Sequence, residues 1–224
     1  MRVVRAHKGK VARRLTVTGR TGHSAMPHRA ANAVAAAAAI AHGLRGIADD
    51  EMACGGDPAF DPPFTSVHVG SLHGGGAVNI VPERAVLEYE VRTLPGRDAA
   101  EILARIDALV ERERRRLRVA APEADIVSEE LSSYPGLDTG IDHPATLLVA
   151  QLAQDPAPAT TVAFGTEGGL YAQAGIATLV CGPGDMARGH KPDEWIGFGE
   201  LQAAGAMMDR LAEWVRRADG DWRL

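Results

Sequence analysis

The chain has 224 residues, 46% of them hydrophobic, which suffices for one large core or two small ones. A formal net charge of −5 and the lack of a basic stripe with interleaved aromatics argue against nucleic acid as a partner. Two distant cysteines, Cys54 and Cys181, form no CxxC pair, the N-terminus shows no hydrophobic signal region, and no apolar run nears membrane-spanning length. A cytoplasmic protein without membrane contact is therefore expected.

In chain order, "KVARRLTVTGR" carries Val11, Leu15 and Val17 on alternate positions and predicts a strand with one buried face. A helix follows from Asn32, a suitable N-cap, through an alanine-rich run that can lie close against a sheet. After the loop "GGDPAFDPPF", the stretch "FTSVHVGSLHGGG" predicts a short strand running into a glycine turn. "RAVLEYEVRTLPG" predicts a second strand of this hairpin, with Ala85, Leu87, Tyr89 and Val91 on one face and Glu88, Glu90 and Arg92 on the other. Asp98 and Glu101, in capping-box spacing, open a helix that buries Ile102, Leu103, Ile106, Leu109 and Val110. "ADIVSEELSS" closes the set as a strand. The order strand, helix, strand, strand, helix, strand is the split βαβ, ferredoxin-like arrangement, an α+β sandwich assigned to residues 6–133.

Residues 134–224 differ. A helix capped by Asp142, short buried strands at "TTVAF" and "IATLVCG", and an amphipathic helix through "GELQAAGAMMDRLAEWVRR" make part of a larger α/β sheet.

Several polar residues stand out. His23 sits between Gly22 and Ser24 after a strand, and taken alone reads as a turn histidine bonded to backbone. The spacings His23/His28 and His68/His73 lack a Cys or carboxylate to complete four zinc ligands. "LHGGGAVNIVP" lacks the lysine and hydroxyl of a phosphate loop and leaves Asn79 in a glycine-rich turn. Arg92 reads either as a cross-strand ion pair with Glu88 or Glu90, or as a clamp for a carboxylate. The loops "FGTEGGLY" and "CGPGDMARGHKPDEW" leave buried strands, where α/β sheets bind ligands, and the second holds His190.

Taken in order, "AHKGKVARRLTVTGRTGHSAMPHRAANAV", "GGGAVNIVPERAVLEYEVRTLPG", "FGTEGGLYAQAGIATLVCGPG" and "GHKPDEW" resemble consecutive motifs of the acetylornithine deacetylase and succinyl-diaminopimelate desuccinylase family. These are two-zinc amidohydrolases with a catalytic domain and an inserted lid, or dimerisation, domain; "RTLPG", "GTE" and "HKPDE" are nearer the acetylornithine branch. The resemblance implies zinc, with cobalt as an alternative, and His190 as a metal ligand. It implies His23 as a catalytic donor to the oxyanion of the partner subunit's site, in a homodimer built through the lid. It also implies Asn79 and Arg92 on the substrate's α-carboxylate, with Thr166, Glu167 and Gly182 along the pocket. The remaining zinc ligands and the carboxylate base of the family have no match here, so the sequence resembles the C-terminal part of such an enzyme, inactive alone. The implied reaction is amide hydrolysis of N-acetyl-L-ornithine. Desuccinylase, aminoacylase or dipeptidase activity, and a non-catalytic dimerisation or amino-acid-binding module, are the alternatives.

Overall fold

The structure, a computed structural model, describes residues 1–217. The chain divides into two compact units: Gly9–Tyr134, and Met1–Lys8 together with the chain from Pro135 onward. The first strand, β1 (Arg2–His7), thus belongs with the C-terminal half and not with the sequence that follows it.

The first unit holds β2 (Gly9–Thr18), β3 (Gly22–His23), α1 (Ala33–Ala53), β4 (Ser66–Gly74), β5 (Ile80–Val81), β6 (Arg84–Thr93), α2 (Ala99–Ala120) and β7 (Asp125–Tyr134). Its antiparallel sheet has the order β4-β6-β2-β7, the split βαβ arrangement, and the four strands alternate with two helices in sequence. Alternation sets the two faces. Leu15 and Val17 of β2 and Ala85, Leu87, Tyr89 and Val91 of β6 are buried in the core, as their period of two requires.

Helix α1 is capped by the Asn32 side chain, which accepts from Ala35 N–H at 2.9 Å. Its buried stripe, Ala33, Ala36, Ala37, Ile40, Leu44 and Ile47, follows the helical repeat. A Cβ added at Gly43 would lie 2.5 Å from Leu109 Cδ2, so the missing side chain lets α1 approach α2. In α2, the Asp98 side chain accepts from Ala100 N–H at 2.8 Å, while Glu101 pairs with Arg97. Two carboxylates are buried on these helices, Glu51 of α1 and Glu113 of α2. The Glu51 carboxylate accepts from Arg97 Nε and Nη2 at 3.1 and 3.0 Å and from Arg105 Nη1 at 3.2 Å.

The second unit adds β8 (Leu137–Asp138), α3 (Pro144–Ala153), β9 (Thr160–Val162), α4 (Gly168–Gln173), β10 (Val180–Gly182) and α5 (Phe198–Arg217). Strand β1 is its axis. Val4, Ala6 and His7 each pair with β9 on one side and with β10 or β8 on the other. Val3 packs with Leu152, Ala153 and Met207 into a small core, and Arg210 Nε donates to Leu152 O at 2.6 Å to tie α5 to α3. The cap of α3 is His143, whose Nδ1 accepts from Ala145 N–H at 3.1 Å; Asp142, assigned to this place from the sequence, lies one residue too early. Pro144 at the first helical position fixes that start. The strands expected at "TTVAF" and "IATLVCG" shrink to three residues each, and the segment between them contains α4. No helix among the described residues is long and apolar enough to cross a membrane.

Replacing Glu51 by Ala strands two arginines that remain partly solvated. We expect a loss of about 1–3 kcal/mol, below that of a fully buried pair, measurable by urea unfolding; a change under about 0.5 kcal/mol would show the pair to be incidental. The second unit rests on a small buried core and leaves Phe198 78% and Leu147 59% exposed. Hydrogen exchange is therefore expected to be slowest in β2, β6 and α1 and faster throughout α3 and α5. Equal protection in both units would contradict this.

Candidate functional site

His23 lies in a two-stranded ribbon. Strand β3 pairs with β5, opposing Gly22 to Val81 and His23 to Ile80, and Ser24 N–H donates to Asn79 O at 3.0 Å. The ribbon brings His23 and Asn79 together, both with exposed side chains. His23 Nδ1 accepts from Ala25 N–H at 3.1 Å, the backbone bond expected of a turn histidine. A nitrogen that accepts carries no proton, so the neutral ring holds its proton on Nε2, which is then a donor.

Arg92 lies elsewhere. Register pairs Thr18 with Arg84 near the ribbon, and Lys10 with Arg92 at the other end of the same ladder. Eight residues of strand separate the two ends, about 26 Å at the usual rise. Within one chain Asn79 and Arg92 cannot grip a single carboxylate; the role expected of the pair would take one from each of two subunits. The ladder keeps them at opposite ends.

The Arg92 guanidinium donates from Nε to Glu90 Oε1 at 2.7 Å, from Nη2 to Glu90 Oε2 at 3.3 Å and from Nη1 to Tyr134 Oη at 3.4 Å. The ion pair thus runs along one strand, i to i+2, and not across strands. Lys10 Nζ is 3.7 Å from Glu90, and His68 opposes Glu90 in the β4–β6 register. Burial opposes ionisation of Glu90, but the bond from Arg92 and the charges of Arg92, Lys10 and His68 outweigh it and hold the carboxyl below its ordinary range. Arg92 is likewise partly desolvated, yet Glu90 and Tyr134 raise its pKa further.

In the second unit the Thr166 loop is anchored by His7, a fully buried residue that sequence reasoning passed over. His7 Nδ1 donates to Lys8 O at 2.9 Å, which leaves Nε2 to accept from Thr166 Oγ1 at 3.0 Å and Thr166 N–H at 3.3 Å. Thr166 Oγ1 in turn accepts from Gly168 N–H at 3.0 Å. Thr166 is thereby committed to the protein, while Glu167, at the start of α4, is exposed. The signal for His7 was present in "RVVRAH", a short run rich in β-branched residues that ends in a histidine.

Gly182 ends β10 beside a cleft of about 600 Å³ whose walls include Val4, Val180, Met186 and Trp195. His190, Thr166 and Glu167 do not line it. His190 is exposed, with φ of 58°, and its N–H donates to Glu194 Oε2 at 3.3 Å. Its loop is braced where Arg188 stacks 4.3 Å over the Trp195 ring and pairs with Glu200, which also accepts from Gly197 N–H at 2.7 Å. Among the described residues no group of three or more His, Cys, Asp or Glu side chains is placed to hold a metal. A catalytic zinc takes three protein ligands, so His190 and its surroundings do not by themselves fit one.

Residues 5–117 match the M20 peptidase dimerisation domain. The acetylornithine deacetylase of Myxococcus xanthus is 31% identical over 207 residues, 92% of this chain and 53% of that protein. That of Vibrio cholerae is 31% identical over 210 residues, 94% of this chain and 54% of that protein. The chain therefore spans about half the length of the curated relatives it matches. Among solved structures, the aminopeptidase PepT from Bacillus cereus superposes with a TM-score of 0.67 at 18% identity, covering 92% of this chain and 52% of that one, a likeness of fold. By the domain it matches over half its length, the chain belongs to the M20 peptidase dimerisation-domain family.

Proposed function

We propose that this chain supplies the lid, the dimer contact and the substrate-holding residues for amide hydrolysis of an N-acyl amino acid, with N-acetyl-L-ornithine as substrate. The observation that carries the reading is the β3–β5 ribbon, which holds the His23 Nε2–H donor and the exposed Asn79 side chain at the same end of the sheet. Such donors suit the oxygen of a scissile carbonyl, where negative charge develops in the transition state. The choice of N-acetyl-L-ornithine rests on the relatives, named acetylornithine deacetylases.

The 26 Å span of the ladder supports a division of labour in a homodimer. His23 and Asn79 serve the partner's substrate, and Arg92 holds a carboxylate at the opposite end. His7 fixes the Thr166–Glu167 loop, whose exposed carboxylate is free to meet a cationic side chain. His190 is the residue of this chain offered to zinc, or to cobalt in its place, and it is one ligand where a catalytic zinc takes three.

The dimer contact is assigned to β4 and α1. Strand β4 is a sheet edge and carries no Asp, Glu, Lys or Arg, whereas the other edge, β7, is blunted by Asp125, Glu129 and Glu130. Beside β4 a hollow of about 470 Å³ is walled by Ala41, Ala48, Phe64, Val67 and Val69, with the Arg45–Asp49 pair also lining it, and its small side chains let a two-fold mate approach.

A chimera in which this chain replaces the matching half of the Myxococcus xanthus enzyme is expected to hydrolyse N-acetyl-L-ornithine. His23→Ala should lower its kcat about 10²–10³-fold with KM little changed. The chain alone should retain no stoichiometric zinc after dialysis. A soluble, zinc-loaded chimera that is inert toward N-acetyl-L-ornithine would sink the reading. For the dimer, Ala41→Glu combined with Ala48→Glu should shift sedimentation from dimer to monomer while the far-UV spectrum is kept; an unchanged dimer would move the contact elsewhere.

A further inference from the structure

Beyond holding a carboxylate, the Arg92 site carries a carboxylate of its own. Three of the five N–H donors of Arg92 are engaged, two by Glu90 and one by Tyr134, which leaves one on each terminal nitrogen. A ligand carboxylate that took those two donors would sit on the edge of the guanidinium next to the one Glu90 occupies, with Nη2 shared between them. The charges around it are Arg92 and Lys10 against Glu90, a net of one positive charge while His68 is neutral. All four side chains are on one face of the sheet at the same end, and Glu90 and Arg92 are each about a quarter exposed, at 26% and 29%. Screening there is incomplete, so the sum of charges matters to a bound anion.

We propose that Glu90 is a specificity-determining residue that restricts the Arg92 site to ligands presenting a single carboxylate. One carboxylate brings the cluster to neutrality. A second, within about 10 Å, meets a cluster that Glu90 has left with no positive charge to spare and is disfavoured. The inference rests on the reading of Arg92 as a carboxylate clamp and deepens it by naming the substrate class: N-acyl amino acids whose side chain is neutral or cationic, not acidic. Lys10 is required as well, because without it the cluster has no net charge to offer.

The test uses N-acetyl-L-glutamine and N-acetyl-L-glutamate, which match in size and differ by one charge. Binding to the purified chain is followed at pH 8 and low salt through the Arg92 Nε–Hε resonance and nearby amides. We expect the wild-type chain to bind the glutamine compound about five- to tenfold more tightly, and Glu90→Gln to reduce that ratio to about twofold or less. Because any disturbance of Arg92 acts on both ligands, the ratio isolates the charge effect. A ratio unchanged in Glu90→Gln, or absent in the wild type, overturns the assignment of Glu90. Arg92→Lys separately tests the clamp. If it leaves both affinities unchanged, or if neither ligand perturbs Arg92 in any variant, the clamp itself is wrong and the inference falls with it.

Discussion

The antiparallel ladder between β2 and β6 is the constraint on which the unit Gly9–Tyr134 depends. Its register runs from Gly9 opposite Thr93 to Thr18 opposite Arg84 without a break. Because side chains alternate, that one register buries Leu15, Val17, Leu87 and Val91 together, and a slip of β2 by one residue would turn Leu15 and Val17 away from the core. It also fixes the chemistry. Arg92 is held at the end where the chain enters and leaves the unit, and the ribbon bearing His23 and Asn79 is held at the other. No side-chain motion closes a gap of about 26 Å along a paired strand, so within one chain the two polar groups cannot meet.

Charge is managed differently on the two faces of this sheet. On the helical side, Glu51 is buried and is offset by two arginines from the loop before α2 and from α2 itself, which ties that helix to α1. On the open side, Arg14 bridges Glu88 and Glu129 at 2.8 and 3.4 Å across three strands. Farther along the same face Arg92 closes on Glu90. Pairs of this exposure add little stability each. Their arrangement instead sets a local excess of positive charge at one end, which is a binding property more than a structural one.

Two of the histidines with ring hydrogen bonds, His23 and His7, illustrate how a backbone contact selects a tautomer. At His23 an amide donates to Nδ1, which puts the proton on Nε2 and makes the outer nitrogen a donor. At His7 a carbonyl accepts from Nδ1, so Nε2 is the acceptor and holds Thr166. The same residue type is thereby an exposed donor in one place and a buried anchor in the other. The difference lies in neighbours two and one residues away.

The periodic elements were legible in the sequence. The alternation in "RAVLEYEVRT", the Asn32 and Asp98 caps and the apolar stripes of α1 and α2 are local signals, and local geometry realises them in Gly9–Tyr134. The order of motifs likewise pointed to the M20 family, since side-chain types at fixed spacing survive where overall identity is 31%. The pairing of β1 with strands more than 125 residues away was not legible, because a six-residue run names no partner until the chain closes on it. Nor was the anchoring of Thr166 by His7, the capture of Arg92 by Glu90 in place of a cross-strand partner, or the separation of Asn79 from Arg92. Sequence alone determined which faces are buried and where its helices and strands form, through propensity and period. Only the tertiary structure decided which of those residues meet, because register and long-range pairing set distances that no local interaction encodes.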